Sequence, residues 1–527
     1  MRKIVFLIII CFQIIFSQRQ DLSGLKFCID PGHGGNNPAN DRHVVPDAGI
    51  DFWESESNFQ KALLLKPLLE ARGAWVILTR NTNYYPNDDE PSLSARSEIA
   101  NQNNVNWFHS IHSNATGGTN TGTNYTLILV KENIATRQAQ FPETLLMSEK
   151  IYNHILAKLR TTQFGVRLDY TFYGGASGGF NLGVLKNLLM PGQLSEGSFH
   201  DFYPETRRLM NNDYRKMEAY GIYNGFLNYY GVPLDTLGII CGIQTDTDSK
   251  AKINNSLVKL LPDGKTYNGD NFNNGFYFFD KIVDGNKILK FETAGFKKDS
   301  FNIILAKGET KFLDYSTPSM IPPIITYSLP KNNDTLVSIN SQIGFIFSIS
   351  MDSNSVKNAF SISPSVAGKF TISNNLKTFV YKTDNPLLYN QNYFMKIDSS
   401  ARSTSGVLLD ANKDGVAGDS YIVNFRTQPS TNFKNEIQIP KSSVLHQNFP
   451  NPFNSQTQIR FSLQHKSHVK IFLSDMLGRK IKILTDENYS EGEHQINFNA
   501  SDLKSGIYFY TLQSEKFSET KSFHLVK

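Results

Sequence analysis

At 527 residues, with 40% hydrophobic and 19% charged side chains, the chain is globular and multidomain rather than disordered or fibrous. Its formal charge of +5 is spread without a long basic run, which argues against nucleic acid as a partner. Length alone allows about three to five domains.

The first residues read as a secretory signal peptide over residues 1–18. Arg2 and Lys3 precede the apolar run Ile4 to Phe16, and Ser17 is small enough for cleavage. That run is too short for a membrane span and is broken by Gln13; no later segment reaches spanning length. The mature chain is therefore expected to have no transmembrane segment. Of three cysteines, Cys11 falls in the signal, and Cys28 and Cys241 are expected as free buried thiols.

From residue 24 to 231, strand and helix patterns alternate. Leu25 to Ile29 reads as a strand that runs into Asp30-Pro31-Gly32-His33-Gly34-Gly35. Trp53 to Ala71 carries a helical apolar pattern (Phe59, Ala62, Leu63, Leu65, Leu69) ending before Gly73. Pro67 conflicts with that helix and predicts a kink or a fresh start. The strand Ala74 to Leu78 follows, then a polar loop from Thr82 to Pro91, and Ser92 is placed to cap a helix through Ala100. Trp107 to Ile111 and Tyr125 to Val130 read as strands; Glu143 to Leu159 and Pro204 to Tyr229 read as helices. This alternation predicts an α/β domain, a mixed sheet flanked by helices on both faces.

Beyond Gly231 the helical period disappears. Short alternating runs between Gly, Asn, Asp and Pro predict three all-β sandwich modules, over 237–315, 321–428 and 441–527, with a polar linker around Pro429 to Glu436. Asp410-Ala-Asn412-Lys-Asp414-Gly415 imitates the start of a calcium loop. Its twelfth position is Tyr421 rather than a carboxylate, so an Asx-rich turn is expected.

Hydrolytic zinc needs three protein ligands and one open position for water. The first domain offers His33 after a strand, Glu54 at a helix start, His112 at a strand end and Glu196 at another. Strand ends and helix starts of an open α/β sheet converge on one rim. Glu56 is the rival to Glu54. His109, three residues from His112 on a strand, should face the other way. His43 and His200 read as surface or supporting residues. Asp30 reads in two ways, orienting a ligand histidine or capping the turn.

The set Ile29-Asp-Pro-Gly-His33-Gly-Gly, Glu54-Ser-Glu-Ser-Asn58, Leu78-Thr-Arg80, Ser110-Ile-His112-Ser-Asn114-Ala and Glu196-Gly197 resembles the zinc-dependent N-acetylmuramoyl-L-alanine amidases of the type 3 family. The resemblance implies that His33, Glu54 and His112 bind Zn(2+). It also implies that Glu196 is the catalytic general base and that peptidoglycan is the substrate. Asn114 is the candidate substrate contact. The segment Asn36 to Phe52 is longer and more polar than the family's, and Lys131 to Pro142 is too short to block the site. The module after the enzyme resembles a carboxypeptidase-regulatory-like sandwich, and the next resembles a bacterial Ig-like domain.

In the last unit, Gln447-Asn-Phe-Pro-Asn-Pro-Phe-Asn454, Asp475-Met-Leu-Gly-Arg479 and Asn499 to Tyr508 resemble the type A C-terminal sorting domain of type IX secretion. That implies passage through the periplasm, recognition by the outer-membrane secretion machinery, and a secreted or cell-surface protein. The rival reading is a non-catalytic surface glycan-binding or adhesion protein on an amidase-like fold. A zinc amidase with a different amide substrate is a third.

Overall fold

The computed structural model describes residues 19–84, 90–174, 179–430, 440 and 442–526. The signal reading and the linker from residue 431 onward lie outside the described residues, as do residues 85–89 of the polar loop. The chain divides into two compact units, Met1–Ser319 and Met320–Lys527.

In the first unit the elements run β1 (Lys26–Pro31), β2 (His43–Val44), β3 (Phe52–Trp53), α1 (Glu54–Glu70), β4 (Trp75–Leu78), α2 (Leu93–Gln102), β5 (Trp107–Asn114) and β6 (Tyr125–Val130). They continue with β7 (Glu132–Asn133), β8 (Gln138–Ala139), α3 (Glu143–Leu159), β9 (Thr162–Leu168), α4 (Asp169–Gly174) and α5 (Gly183–Lys186). The domain closes with β10 (Gly192–Phe199), α6 (Tyr203–Leu209) and α7 (Asn212–Tyr229). Six strands form one sheet in the order β4-β1-β5-β10-β6-β9. The strands β1, β4, β5 and β10 are parallel, and β6 runs antiparallel to β10. The expected mixed sheet is therefore present.

Alternation along each strand sends side chains to two buried faces. Phe27, Ile29, Trp107, Ile111 and Ile128 pack with Leu65, Ile155, Ile222 and Phe226 of α1, α3 and α7. On the other face Cys28, Phe108, Leu127 and Leu194 pack with Ala100, Val184 and Leu185 of α2 and α5. Helices cover both sides, as the strand–helix alternation predicts. Cys28 and Cys241 are free and buried, and burial raises both thiols, Cys241 to about 12.

Three local expectations are corrected. The fresh start allowed for at Pro67 is not found, since α1 is one helix from Glu54 to Glu70. Pro67 lies in the last turn, so its missing N–H removes one hydrogen bond close to where the ladder ends anyway. Leu63, counted in the apolar stripe, is exposed. The helix expected from Pro204 to Tyr229 is two helices. Asn211 takes an extended backbone between them and its side chain accepts from the Tyr214 N–H, capping α7. The same side chain donates to the Tyr267 hydroxyl at 3.0 Å and to Asp270 at 2.7 Å, so the break serves the neighbouring module. Ser92 does cap α2, accepting from the Ala95 N–H at 3.2 Å.

That neighbouring module is a β-sandwich. One sheet holds Gly238–Asp246 between Phe276–Ile282 and Thr310–Phe312, and the other holds Lys265–Asn268, Leu257–Leu261, Gly285–Phe291 and Asp299–Leu305 in that order. Its core is continuous with that of α7: Tyr214 meets Phe276 edge-on at 5.2 Å, and Tyr220 donates to Asp280 at 3.1 Å.

In the second unit, residues 325–427 form two four-stranded sheets around Phe345, Phe379, Met395 and Val423. Residues 444–525 form a further sandwich around Phe461, Ile471, Tyr510 and Phe523. Asp410 accepts from the Lys413 and Gly415 N–H groups, and Asn412 accepts from Asp414, an Asx-rich turn as expected. Among the described residues no helix is long and apolar enough to cross a membrane.

A chain ending at Gly231 loses the partners of Tyr214, Tyr220 and Asn211. It is expected to melt about 10 °C below a chain ending at Ser319 and to bind a hydrophobic dye, as differential scanning fluorimetry and dye titration would register.

Candidate active site

The site is assembled where β1, β5 and β10 end and α1 begins. His33 follows β1 in the left-handed region, with φ of 58°, an unfavourable conformation that its surroundings must hold. Two buried arginines do so by collecting the carbonyls of its loop. Arg80 donates to Pro31 O at 3.0 Å and to Ser55 O at 3.1 Å, tying the loop to the start of α1. Arg96 donates to Pro31 O at 3.0 Å and His33 O at 2.9 Å.

Asp30 balances that charge. Its carboxylate lies 2.7 Å from Arg96 and accepts from the hydroxyls of Thr79 at 2.5 Å and Ser110 at 2.6 Å. Burial by itself would raise the Asp30 carboxyl, but Arg96 and the two hydroxyls outweigh it and hold the group below its ordinary value. Of its two readings, the one observed is support of the turn.

His33, Glu54 and His112 converge, with ligand atoms all within 4.8 Å of one another. His33 Nε2 lies 3.1 Å from Glu54 Oε2, and His112 Nδ1 lies 3.2 Å from Glu54 Oε1. The other ring nitrogen of His33 donates to Asn40 O at 2.5 Å, which leaves Nε2 free to bind a ligand. Gly32 is required by this approach: a Cβ there would sit 2.2 Å from the His112 ring.

Glu54 is buried at the first turn of α1, where the helix dipole favours an anion. Its Oε1 also accepts from the Ser113 N–H at 3.0 Å and the Asn58 amide at 3.2 Å. Burial opposes its ionisation, yet His33, His112 and His200 together hold the carboxyl well below its usual value. Burial likewise opposes the charged form of His33, and Glu54 overrides it, pushing that imidazole up to about 9. His112 moves the other way, lowered by burial.

Glu196 is the strand neighbour of His112, in register across β5 and β10. Register partners on adjacent parallel strands point to the same face. One Glu196 oxygen, Oε2, is buried with no hydrogen-bond partner among the described residues. Burial and then the negative Glu54 raise its carboxyl well above the ordinary value, the condition of a group that holds and releases a proton.

The remaining candidates separate cleanly. Glu56 turns to Asn83 and Arg215. His109 faces the opposite side of the sheet, beside Phe226, bonded to Ser195 and Gln193, and burial lowers it to about 3. His43 is half-exposed, stacked on Trp53 and paired with Asp51. His200 is a supporting residue: it is buried, donates to Ser113 O at 2.9 Å, and lies 3.7 Å from Glu54. Asn114 accepts from the Ala115 N–H at 2.8 Å through its own side chain.

Sequence reading missed one buried pair. Lys61 of α1 and Glu218 of α7 lie 2.7 Å apart, both fully buried. Glu218 fills the space beside Gly197, where a Cβ would meet its carboxyl carbon at 2.4 Å. The available signal was a lysine on the buried stripe of α1, but its partner is 157 positions away in the chain.

Residues 27–228 match the family described as N-acetylmuramoyl-L-alanine amidase. The chain carries an amidase domain of that family. Residues 319–427 match a bacterial Ig-like domain, and residues 447–526 match a secretion system C-terminal sorting domain.

Among relatives of the amidase domain, an uncharacterized cell wall amidase of Bacillus anthracis is 28% identical over 215 residues, 40% of this chain and 37% of the relative. The sporulation-specific N-acetylmuramoyl-L-alanine amidase of Bacillus subtilis (strain 168) is 27% identical over 203 residues, 38% of this chain and 66% of the relative. The chain thus spans about a third to two thirds of the length of these relatives. A solved N-acetylmuramoyl-L-alanine amidase of Nostoc punctiforme is 25% identical, covering 39% of this chain and 98% of that one, with a TM-score of 0.31.

Two stability predictions follow from the buried charges of the amidase domain. Because the folded Asp30 carboxyl lies below its unfolded value, its contribution is complete above about pH 3.9 and is lost as pH falls through the folded value. Asp30→Asn takes the buried carboxylate from Arg96, leaving Glu90 at 3.9 Å, and should cost about 3–5 kcal/mol at neutral pH in urea unfolding, with less further loss between pH 4 and 2 than the parent. Lys61→Met should cost about 3–5 kcal/mol by stranding Glu218, and the double variant Lys61→Met/Glu218→Leu should recover most of it.

Proposed function

We propose that the chain is an exported zinc hydrolase that cleaves the amide between N-acetylmuramic acid and L-alanine in peptidoglycan. The observation that carries this reading is the convergence of two imidazoles and one carboxylate beside a buried glutamate whose Oε2 has no partner. A tetrahedral zinc site with bonds of about 2.0–2.1 Å spaces its ligand atoms about 3.3 Å apart. His33 Nε2 lies 3.1 Å from one Glu54 oxygen and His112 Nδ1 3.2 Å from the other, and the three side chains offer ligand atoms within 4.8 Å of one another, a set compatible with such an ion. His33 Nε2, Glu54 and His112 Nδ1 are the atoms that would hold the ion.

When bound, zinc supplies a Lewis acid for the scissile carbonyl and lowers the pKa of an attacking water. The chain's own groups do the rest. Glu196 takes the proton of the attacking water on its carboxylate as the new C–O bond forms at the lactyl carbonyl. It then delivers that proton to the L-alanine nitrogen as the C–N bond breaks. The raised affinity of Glu196 for a proton suits both halves of the cycle. We assign the role of substrate contact to Asn114, at the end of β5.

Access to the site is supported by the stretch from Lys131 to Pro142. Its one carboxylate, Glu132, accepts from the Thr171 N–H and hydroxyl and pairs with Arg137, away from the ligand cluster. The relatives' names support the substrate. The sorting domain supports export through the outer-membrane secretion machinery to the surface or medium, by way of the periplasm.

Purified peptidoglycan tests this directly. The chain is expected to release L-alanine amino groups, lose activity on chelation and regain it with zinc. Glu196→Gln should retain stoichiometric zinc and lose at least about 100-fold in kcat. A zinc-loaded parent that binds peptidoglycan and releases nothing would instead mark a glycan-binding protein.

A further inference from the structure

A run of aromatic rings leads from the strand of Glu196 to solvent. Phe199, three positions beyond Glu196 on β10, meets Tyr125 edge-on with ring centres 4.4 Å apart. Tyr125 stacks on Phe164 at 4.4 Å, and Phe164 meets Phe172 at 6.0 Å. Phe172 meets Tyr173 at 5.0 Å, and Tyr173 stacks on Phe180 at 4.6 Å with planes 18° apart. Phe199 is buried and the middle members are half-buried, but Tyr173 is 39% exposed and Phe180 55%.

The exposed pair stands on a rigid base. Asp169, fully buried, accepts from the N–H groups of Glu132, Tyr170 and Leu182 and from the Asn181 amide, all at 2.8–2.9 Å. Glu132 fixes Thr171. The segments entering and leaving the pair are therefore both tied to the end of β6. The site is within electrostatic reach, since burial and then the Glu196 carboxylate push the Tyr173 phenol up to about 12.

Two stacked rings that leave 39% and 55% of their surface open to water form an apolar patch, and such a patch fits a ligand face. The match is a pyranose. Its substituents lie near the ring plane, leaving a flat C–H face of about the area of one aromatic ring, and aromatic rings take such faces by dispersion and desolvation. A stem peptide, with its carboxylates and amides, calls instead for donors and charge.

We propose that Tyr173 and Phe180 form a subsite for a pyranose ring of the glycan strand, next to the muramoyl unit whose amide is presented to Glu196. The choice of substrate rests on the amidase reading; the stacking surface does not.

Calorimetric titration of the full chain with a peptide-free tetrasaccharide of β-1,4-linked N-acetylglucosamine decides the subsite without any turnover. The parent should bind, Tyr173→Ala and Phe180→Ala should each weaken binding about tenfold, and Phe180→Trp should retain it. No binding by the parent, or unchanged affinity in both alanine variants with native melting, overturns the proposal.

Kinetics provide the second arm. On a glycan-oligomer substrate the alanine variants should raise KM about tenfold with kcat within about twofold, so the preference for the oligomer over a single-sugar muramoyl peptide collapses. An equal loss of kcat on both substrates overturns the subsite. If the parent cleaves neither substrate, the amidase reading fails, and calorimetry still decides the stacking surface.

Discussion

A carboxylate taken out of water must be compensated by its surroundings, and Glu54 is the point where this chain meets that demand. The first turn of α1 supplies its dipole, Ser113 supplies a backbone donor, Asn58 an amide, and three imidazoles stand within 3.7 Å. These partners come from four parts of the fold: the loop after β1, α1 itself, the end of β5 and the end of β10. Burying this one anion therefore aligns the ends of three parallel strands against a helix start. The same convergence gathers nitrogen and oxygen donor atoms within 4.8 Å of one another, close enough that they could hold a metal ion.

Beneath this cluster lies a second layer of buried charge. Asp30, Arg80 and Arg96 hold the loop of His33 in a conformation it would not adopt alone, and Lys61–Glu218 fills the space beside Gly197. Such pairs contribute little net stability over apolar residues of the same size, but breaking one side is costly. Their effect here is geometric. Arg96 spans from α2 to the carbonyls of Pro31 and His33, so a shift of that helix would move His33.

The residues of the candidate site were legible because each sits at a place that local pattern marks: His33 in a glycine turn after an apolar strand, Glu54 at a helix start, His112 and Glu196 at strand ends. The opposite facing of His109 followed from strand period alone. What was not legible depends on partners far apart in the chain. Nothing near Lys61 announces Glu218, nothing near Arg96 announces His33, and His200 reads as peripheral until β5 and β10 are paired. Gly32 reads as turn chemistry, whereas the space it leaves is taken by the His112 ring. The split between α6 and α7 was hidden for the same reason, since the capping Asn211 is recruited by Tyr267 and Asp270 of the following sandwich.

That recruitment bears on how the first unit works as a whole. A module joined by a polar linker moves independently of its neighbour, whereas one sharing an apolar core does not. Here α7 contributes Glu218 to the charge layer under β10, the strand of Glu196, and Tyr214 and Tyr220 to the sandwich. The buried Lys158 at the end of α3 also donates to Thr310 of the sandwich. One helix thus supports β10 with one face and the sandwich with another. The sandwich acts as a buttress for α7, and through Glu218 and Gly197 its packing reaches the strand that carries Glu196.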